Sequence, residues 1–198
     1  MKIIFKNSLE IFNFIFSKIK KNHNIILSGG SSIKKILHYL NKNKNLINNN
    51  IYLSDERVSN KLIIRNDTFF KKLIKKKFIR KSKFYNYNKY FFDQTEINYL
   101  NNKINNKKID LAILGLGGNC HIASIFTVKK KCNDSYYFIN NSPKRPKKRI
   151  TISLNKILSS KKIFLICNSE KKKYELKNVH KYSIIKKIKK KTKILIYP

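Results

Sequence analysis

The chain has 198 residues, a formal net charge of +36 and ten acidic side chains. This length suits one domain over residues 1–198 and is enough for a sizeable core. No apolar run approaches the roughly eighteen residues needed to span a bilayer, and three cysteines without CxxC spacing argue against a disulfide framework or a metal site. We therefore expect a cytoplasmic protein without membrane contact.

The positive charge alone would suggest a nucleic-acid-binding protein. However, the lysines are spread through every segment, only five arginines occur, and asparagine and isoleucine are in similar excess. This pattern is typical of the compositional bias of an AT-rich genome. We expect no specific nucleic-acid surface, although a non-catalytic basic binding protein stays open as an alternative. The positive field would also attract a small anionic substrate.

The sequence pattern of the N-terminal part predicts a helix, a strand and a second helix. Apolar spacing indicates an amphipathic helix over residues 8–21 and a short buried strand over Asn24–Ser28. The glycine turn Gly29-Gly30 follows, and the next apolar stripe begins a helix whose N-cap we expect at Ser31 or Ser32. A glycine turn at a helix N-terminus exposes backbone N–H groups and is a ready anion site, or else only a tight turn.

The rest of the chain continues to alternate strands with helices. A strand over Ile51–Ser54 ends in Asp55-Glu56-Arg57, and Asn66 with Asp67 predicts the start of another helix. Further candidates are strands near Phe84–Tyr87, Tyr136–Ile139, Ile163–Cys167 and Ile194–Tyr197, an ambiguous segment Ile150–Ser153, a polar loop at 41–50, and helices at 94–106 and 169–180. The alternation predicts an α/β fold with a mostly parallel sheet, covered by helices on both faces as in Rossmann-like three-layer proteins. Ligands of such sheets bind beyond the carboxyl ends of the strands.

The segment Leu111–Phe126 is the most informative part of the sequence. It starts as a short apolar strand and contains three of the five glycines and both alanines of the chain. Residues without bulk permit a positive φ or a close approach to another group. We expect this loop and the Gly29-Gly30 turn to face one another across a pocket.

His121 is the expected reactive group of that pocket. It is the one histidine beside a glycine loop, and a neutral imidazole can take a proton from water. A lone histidine is more often structural, but the glycine context favours catalysis. Cys120 is a weaker candidate nucleophile, since no second histidine is available to activate it.

Two charged motifs complete the set of candidates. Asp55 and Arg57 could bind substrate hydroxyls and an oxyanion, while Glu56 points to the other face of the strand; a surface salt bridge is the alternative. The stiff basic loop Ser142–Thr151 could present Arg or Lys to a phosphate, or be an ordinary solvated loop.

Four motifs occur in a fixed order, and together they are specific. They are S-G-G-S at Ser28–Ser31, D-E-R-V at Asp55–Val58, G-x-G-x-x-x-H-x-A-S-x-F at Gly115–Phe126, and P-x-x-R-I-T-x-S-L at Pro146–Leu154. This order resembles the 6-phosphogluconolactonase family. The resemblance implies a fold of the sugar-phosphate isomerase/deaminase type and hydrolysis of 6-phospho-D-glucono-1,5-lactone in the oxidative pentose phosphate pathway. It also implies a carboxylic ester hydrolase without metal or cofactor.

The resemblance also implies roles for individual residues. His121 falls on the catalytic histidine, Asp55 and Arg57 on the D-E-R motif, and Arg149 on the basic residue of R-I-T. The substrate- and phosphate-binding residues are then Gly29, Gly30 and Ser31 of the first loop, Gly117 of the second glycine loop, Arg149, and Lys171, which matches a lysine on a later helix.

The chain departs from the family where the usual D-G-H is replaced by Asn119-Cys120-His121. Asn119 can orient the imidazole by a hydrogen bond but brings no negative charge. Cys120 is expected to exclude a backbone angle that glycine tolerates well. We also expect a monomer or weak dimer. A glucosamine-6-phosphate deaminase or sugar-phosphate isomerase, with Asp55 as base, is the main alternative.

Overall fold

The computed structural model describes residues 2–40, 46, 48–76, 82–86, 93–127, 133–168, 183–188 and 192–197. Seven strands form a sheet in which every neighbouring pair is parallel. In spatial order they are β1 (Lys2–Ile4), β10 (Thr192–Ile196), β9 (Lys162–Cys167), β6 (Leu111–Gly115), β2 (Asn24–Leu27), β3 (Asn50–Leu53) and β5 (Lys83–Tyr85). The central strands are continuous apolar runs because both of their faces are buried.

Helices cover both faces of this sheet. They are α1 (Ser8–Phe16), α2 (Ser31–Leu37), α3 (Asp67–Lys75), α4 (Gln94–Ile104), α5 (Leu154–Leu158) and α6 (Ser183–Ile188). Side chains of α1 and α2 meet Ile25 and Leu27 of β2 on one face. On the opposite face, the hydroxyl of Tyr52, which is in register with Ile26, donates to the Lys103 carbonyl of α4 at 3.3 Å. The predicted three-layer α/β architecture is confirmed.

A second, antiparallel sheet was not predicted. It has three strands in the order β4 (Asp55–Arg57), β8 (Arg149–Ile152) and β7 (Tyr136–Ile139). The D-E-R motif is therefore a strand, and the ambiguous segment after Pro146 is one as well. The chain passes from the first sheet to the second at Ser54, which lies between β3 and β4.

Several predicted boundaries were wrong. The first helix ends at Phe16 rather than near residue 21, because the chain turns into β2 through Asn22, which has φ 63°. Gly30, rather than Ser31 or Ser32, is the N-cap of α2, so both serines belong to its first turn. The strand predicted near Phe84–Tyr87 comprises Lys83–Tyr85. Most of the polar loop at 41–50 and nearly all of the helix at 169–180 lie outside the described residues. In the part of the chain that the structure describes, no helix is long and apolar enough to cross a membrane.

Candidate active site

Two motifs that are distant in the chain form neighbouring antiparallel strands. Asp55 of β4 lies opposite Thr151 of β8, and Arg57 lies opposite Arg149. Opposite residues, and residues two apart in one strand, project to the same face of a sheet. Asp55, Arg57 and Arg149 therefore share one face, and Glu56 projects to the other.

Hydrogen bonds between buried side chains link this face to the parallel sheet. The hydroxyl of Ser54 donates to Asp55 Oδ1 at 3.0 Å, so the 3.0 Å contact between Ser28 and Ser54 has Ser28 as donor. Ser124 donates to Asp55 Oδ2 at 2.7 Å and accepts from Arg149 Nη1 at 3.3 Å. Asp55 thereby links the carboxyl ends of β2 and β3 with the His121 segment and with β8.

His121 lies directly on the backbone of the second glycine loop. A Cβ atom added to Gly117 would be 2.0 Å from His121 Cε1 and 2.2 Å from Nε2, so only glycine leaves room for the ring. His121 Nδ1 is 2.6 Å from the Gly118 carbonyl oxygen. Because a carbonyl only accepts, Nδ1 carries the proton and Nε2 keeps its lone pair. The Phe126 ring packs beside the imidazole, with the ring centroids 4.6 Å apart.

The surroundings keep this imidazole neutral. Burial lowers the pKa of His121 below its usual value of 6.5; the Gly118 carbonyl and Asp55 oppose this, while Lys144 and Arg149 add to it. The side chain is nevertheless half-buried rather than sealed in the core. A neutral, accessible imidazole with a defined tautomer is what a general base for water requires.

The residues before His121 adopt the left-handed backbone region. Asn119 has φ 57° and Cys120 has φ 53°. The expectation that Cys120 excludes this angle was wrong, because the buried cysteine adopts it in place of glycine. The exposed Asn119 side chain makes no hydrogen bond to the ring, so it is the Gly118 carbonyl that orients His121 within the described residues.

The first glycine turn packs against Asn66. A Cβ atom added to Gly29 would be 2.4 Å from Asn66 Cβ, and Asn66 Nδ2 donates to the Asp55 carbonyl at 3.0 Å. Asn66 thus fills the space between the turn and β4. Gly29 is buried by this contact, while Gly30 and Ser31 remain accessible to a ligand.

Glu56 holds Asn66 in this place. Its Oε1 accepts from the backbone N–H groups of Arg57 and Asn66, both at 2.7 Å, and its Oε2 accepts from that of Asp67 at 2.8 Å. Asn66 is the N-cap of α3, but the capping oxygens come from Glu56. Burial raises the pKa of the fully buried Glu56, Asp67 adds to this and the three hydrogen bonds oppose it, and together they bring the pKa to about 7.

The two glycine loops meet at α2. A Cβ atom on Gly115 would be 3.8 Å from Ser32 Cβ, and Ser32 Oγ donates to Asn168 Oδ1 at 2.8 Å, just beyond β9. Lys34 of the same helix is close enough to Arg57 for its pKa to be lowered, first by burial and then by that guanidinium. Lys171 lies outside the described residues.

The two arginines of the site differ in their free donors. Arg149 donates to Ser124 and to the carbonyls of Lys144, Arg145 and Pro146, and so stabilises the basic loop. Arg57 donates from Nη1 to the Ile64 carbonyl at 2.7 Å, and its buried Nε has no partner among the described residues. Arg57 therefore has more donor capacity for a ligand.

Sequence reasoning missed several residues of this site. They are Lys34, Asn66, Ser124 and Lys144, together with the role of Glu56 as a helix cap. Ser124 and Glu56 stand inside the motifs, so their positions were a usable signal, whereas the approach of Lys34 and Lys144 depends on packing. Within the described ranges, no group of three His, Cys, Asp or Glu side chains could hold a metal ion.

Comparison with known proteins places the chain in a family. Residues 11–190 match the family model for glucosamine-6-phosphate isomerases/6-phosphogluconolactonase. A curated 6-phosphogluconolactonase of Borreliella burgdorferi is 30% identical over 182 residues, covering 85% of this chain and 77% of that protein.

Solved structures show the same fold. The 6-phosphogluconolactonase of Plasmodium vivax has a TM-score of 0.82 at 19% identity, covering 99% of this chain and 90% of that one. The enzyme of Thermotoga maritima has a TM-score of 0.80 at 18% identity, covering 100% and 98%. The chain belongs to the glucosamine-6-phosphate isomerase/6-phosphogluconolactonase family.

Proposed function

We propose that this chain hydrolyses 6-phospho-D-glucono-1,5-lactone to 6-phosphogluconate, the lactone hydrolysis of the oxidative pentose phosphate pathway. The curated relatives that it matches are named 6-phosphogluconolactonases, and this supports lactone hydrolysis as the function of the chain. The structural observation that supports the mechanism is the His121 ring on Gly117, with Nδ1 bound to a carbonyl and Nε2 available.

In this mechanism water is the nucleophile and His121 is the general base. Nε2 takes a proton from water while the water oxygen attacks the lactone carbonyl carbon. The tetrahedral oxyanion then collapses, the bond from this carbon to the ring oxygen breaks, and the imidazolium returns its proton to that oxygen. The product carboxylic acid releases one proton to solvent, so atoms and charge balance.

Cations around the ring supply the remaining stabilisation. Arg57 lies opposite Arg149, and like charges across a strand pair are unfavourable unless an anion lies near them. We assign the oxyanion to Arg57, which has unused donors, and the phosphate to Gly30, Ser31, Arg149 and Lys171. The buried Gly29 shapes the turn, and Gly117 makes room for His121. Each oxygen of Asp55 has a second lone pair that can accept a hydrogen bond from a substrate hydroxyl. Asn119 contributes through its backbone, which forms the left-handed turn before His121.

The test is hydrolysis of the lactone by purified protein, measured above the spontaneous rate. We expect wild type to accelerate the reaction and His121→Gln to lose at least about 100-fold in kcat. Equal rates for the two proteins would remove His121 from the mechanism. No acceleration by folded wild type would contradict lactone hydrolysis itself.

A deaminase or isomerase of sugar phosphates is the second candidate, because the family model includes both activities. Such an enzyme needs a carboxylate base, and Asp55 is the carboxylate at the site. However, both of its oxygens already accept hydrogen bonds from hydroxyl groups of the protein, so neither is a fully unoccupied acceptor for a substrate proton. Ammonia release from glucosamine 6-phosphate would favour this candidate.

The cellular setting also remains a proposal. We propose a cytoplasmic monomer or weak dimer that acts on a free sugar phosphate and binds no specific nucleic acid. The three cysteines of the chain lack CxxC spacing, in keeping with a reducing compartment. A sedimentation experiment at micromolar concentration would decide the oligomeric state.

A further inference from the structure

Ser124 occupies a place between two opposite charges. It is fully buried, three residues after His121, and its backbone N–H donates to Thr151 Oγ1 at 3.2 Å. Its hydroxyl donates to Asp55 at 2.7 Å and accepts from Arg149 at 3.3 Å. A single hydroxyl therefore connects a buried carboxylate with a buried guanidinium.

Asp55 and Arg149 do not form a direct ion pair. The ion pairs within the described ranges involve other residues: Arg65 and Lys71 with Asp67, and Lys161 with Asp110. In a direct bidentate pair, the Asp55 carboxylate would interact mainly with the Arg149 guanidinium and less with other groups. The intervening hydroxyl prevents this direct contact, so Asp55 acts on Arg149 only over the longer distance and its charge also acts on other groups at the site.

Those other groups include His121, whose surroundings are otherwise positive. Lys144 and Arg149 both disfavour a charged ring, while the Gly118 carbonyl and the Asp55 carboxylate favour it. Asn119, two residues before His121, carries no charge. Formation of the imidazolium during catalysis therefore depends on Asp55 more than on any other carboxylate among the described residues.

We propose that Ser124 is a positioning residue that keeps the Asp55 carboxylate free of Arg149, as the counter-charge of the His121 imidazolium. The kinetic part of this inference rests on the proposed lactone hydrolysis, whereas the electrostatic part does not. Removal of the hydroxyl lets Asp55 pair directly with Arg149. This direct pair weakens the stabilisation of the imidazolium.

The experiment compares Ser124→Ala with wild type by NMR titration of the His121 Cε1–H signal, which is assigned by its loss in His121→Gln. We expect the pKa of His121 to fall in Ser124→Ala and in Asp55→Asn. Ser135→Ala is the matched control, because Ser135 is also a buried serine that donates to a side-chain oxygen, Asn105 Oδ1 at 2.6 Å, away from the site. Its His121 titration should equal that of wild type.

Kinetics supply the second readout. In Ser124→Ala we expect kcat to fall about tenfold, with little change in KM, and the acid limb of the pH profile to move to lower pH. An unchanged His121 titration in folded Ser124→Ala would overturn the inference, even in an active lactonase. If that variant does not fold, Ser124→Cys, which keeps the shape of the side chain with a weaker donor, decides in the same way. A shifted titration in a protein without lactonase activity would instead support the positioning role and reject the proposed function.

Discussion

The two glycine loops of this protein solve different packing problems with the same residue. In the turn after β2, Gly29 makes room for Asn66, a side chain from another element, and is itself buried. In the loop after β6, Gly117 makes room for His121 of the same loop, and the ring stays half-exposed. Gly29 thus allows a structural contact, and Gly117 allows a reactive group to lie at the surface of the loop.

Neither loop uses glycine for a positive φ. None of the five glycines has one, whereas Asn119, Cys120 and Ala123 all do. Gly29 and Gly117 therefore allow a close approach of another side chain, while the residues with strained backbone angles are ones that carry a Cβ atom. We therefore expect substitutions in the two loops to separate stability from activity.

The largest expected effect is that of Gly117→Ala on activity. The new methyl group would occupy the place of the imidazole and displace it by about an ångström or more, which costs about 100-fold in kcat. Urea denaturation should show a smaller loss of stability, because the ring can move toward solvent. Wild-type kcat in this variant would contradict the close contact between Gly117 and His121.

Gly29→Ala should instead act on stability. Its methyl group would meet Asn66, which is held by Glu56 and cannot move away, so we expect a loss of about 2–3 kcal/mol in the free energy of unfolding. Gly30→Ala is the matched control: its φ is −71° and nothing lies within 4 Å of the added Cβ. It should cost less than about 1 kcal/mol. Equal losses in urea denaturation would mean that the two glycines are not distinguished by packing.

The buried cap of α3 makes the first loop sensitive to pH. Because the pKa of Glu56 in the folded state, about 7, lies above its usual value of 4.5, the fold favours the protonated form. Its contribution to stability is therefore complete below pH 4.5 and declines as the pH rises through 7. Glu56→Gln stays neutral, so wild type should lose stability relative to this variant between pH 5 and pH 7.5. Urea denaturation at both pH values measures the difference, and a relative gain by wild type would reverse the sign.

The second loop should show its own pH dependence in catalysis. Burial lowers the pKa of His121 below 6.5, so the general base stays neutral to lower pH than a free imidazole does. We expect the acid limb of kcat/KM, corrected for spontaneous hydrolysis, to have its midpoint below pH 6.5. A midpoint above pH 6.5 would mean that the ring is more easily protonated than the structure indicates.

The smallest effect is expected at Ala123, which has φ 50° with a half-buried methyl group. Ala123→Gly removes the clash of Cβ with the backbone and should stabilise the protein by up to about 1 kcal/mol. Thermal denaturation of the two proteins would show it, with kcat as the control for an intact loop. A loss of stability would mean that the methyl group contributes more through packing than it costs in strain.

Most of the parallel sheet was predictable from the sequence. Its strands are short apolar runs such as Leu111–Leu114, and their alternation with helices specifies a layered α/β fold. The second sheet was predictable only in its strand Tyr136–Ile139. The strand Asp55–Arg57 has three residues, all charged, so its formation depends on pairing with β8 and not on local preference.

The site was predicted only in part, because some of its contacts also depend on packing between distant parts of the chain. Glycine loops and a histidine leave a local signal, and motif order added Asp55, Arg57 and Arg149. The capping role of Glu56 could not be read locally, because its three donors include the N–H groups of Asn66 and Asp67, which reach it only after α3 packs on β4. The same holds for Ser124, whose two partners come from different strands.

The pairing of β4 with β8 has a consequence for the nascent protein. During translation Asp55 and Arg57 leave the ribosome long before their strand partners Thr151 and Arg149 have been synthesised. Contacts between such distant parts of a chain form late and slowly. The parallel strands β2 and β3 can associate first, but catalytic competence has to wait until most of the polypeptide has emerged.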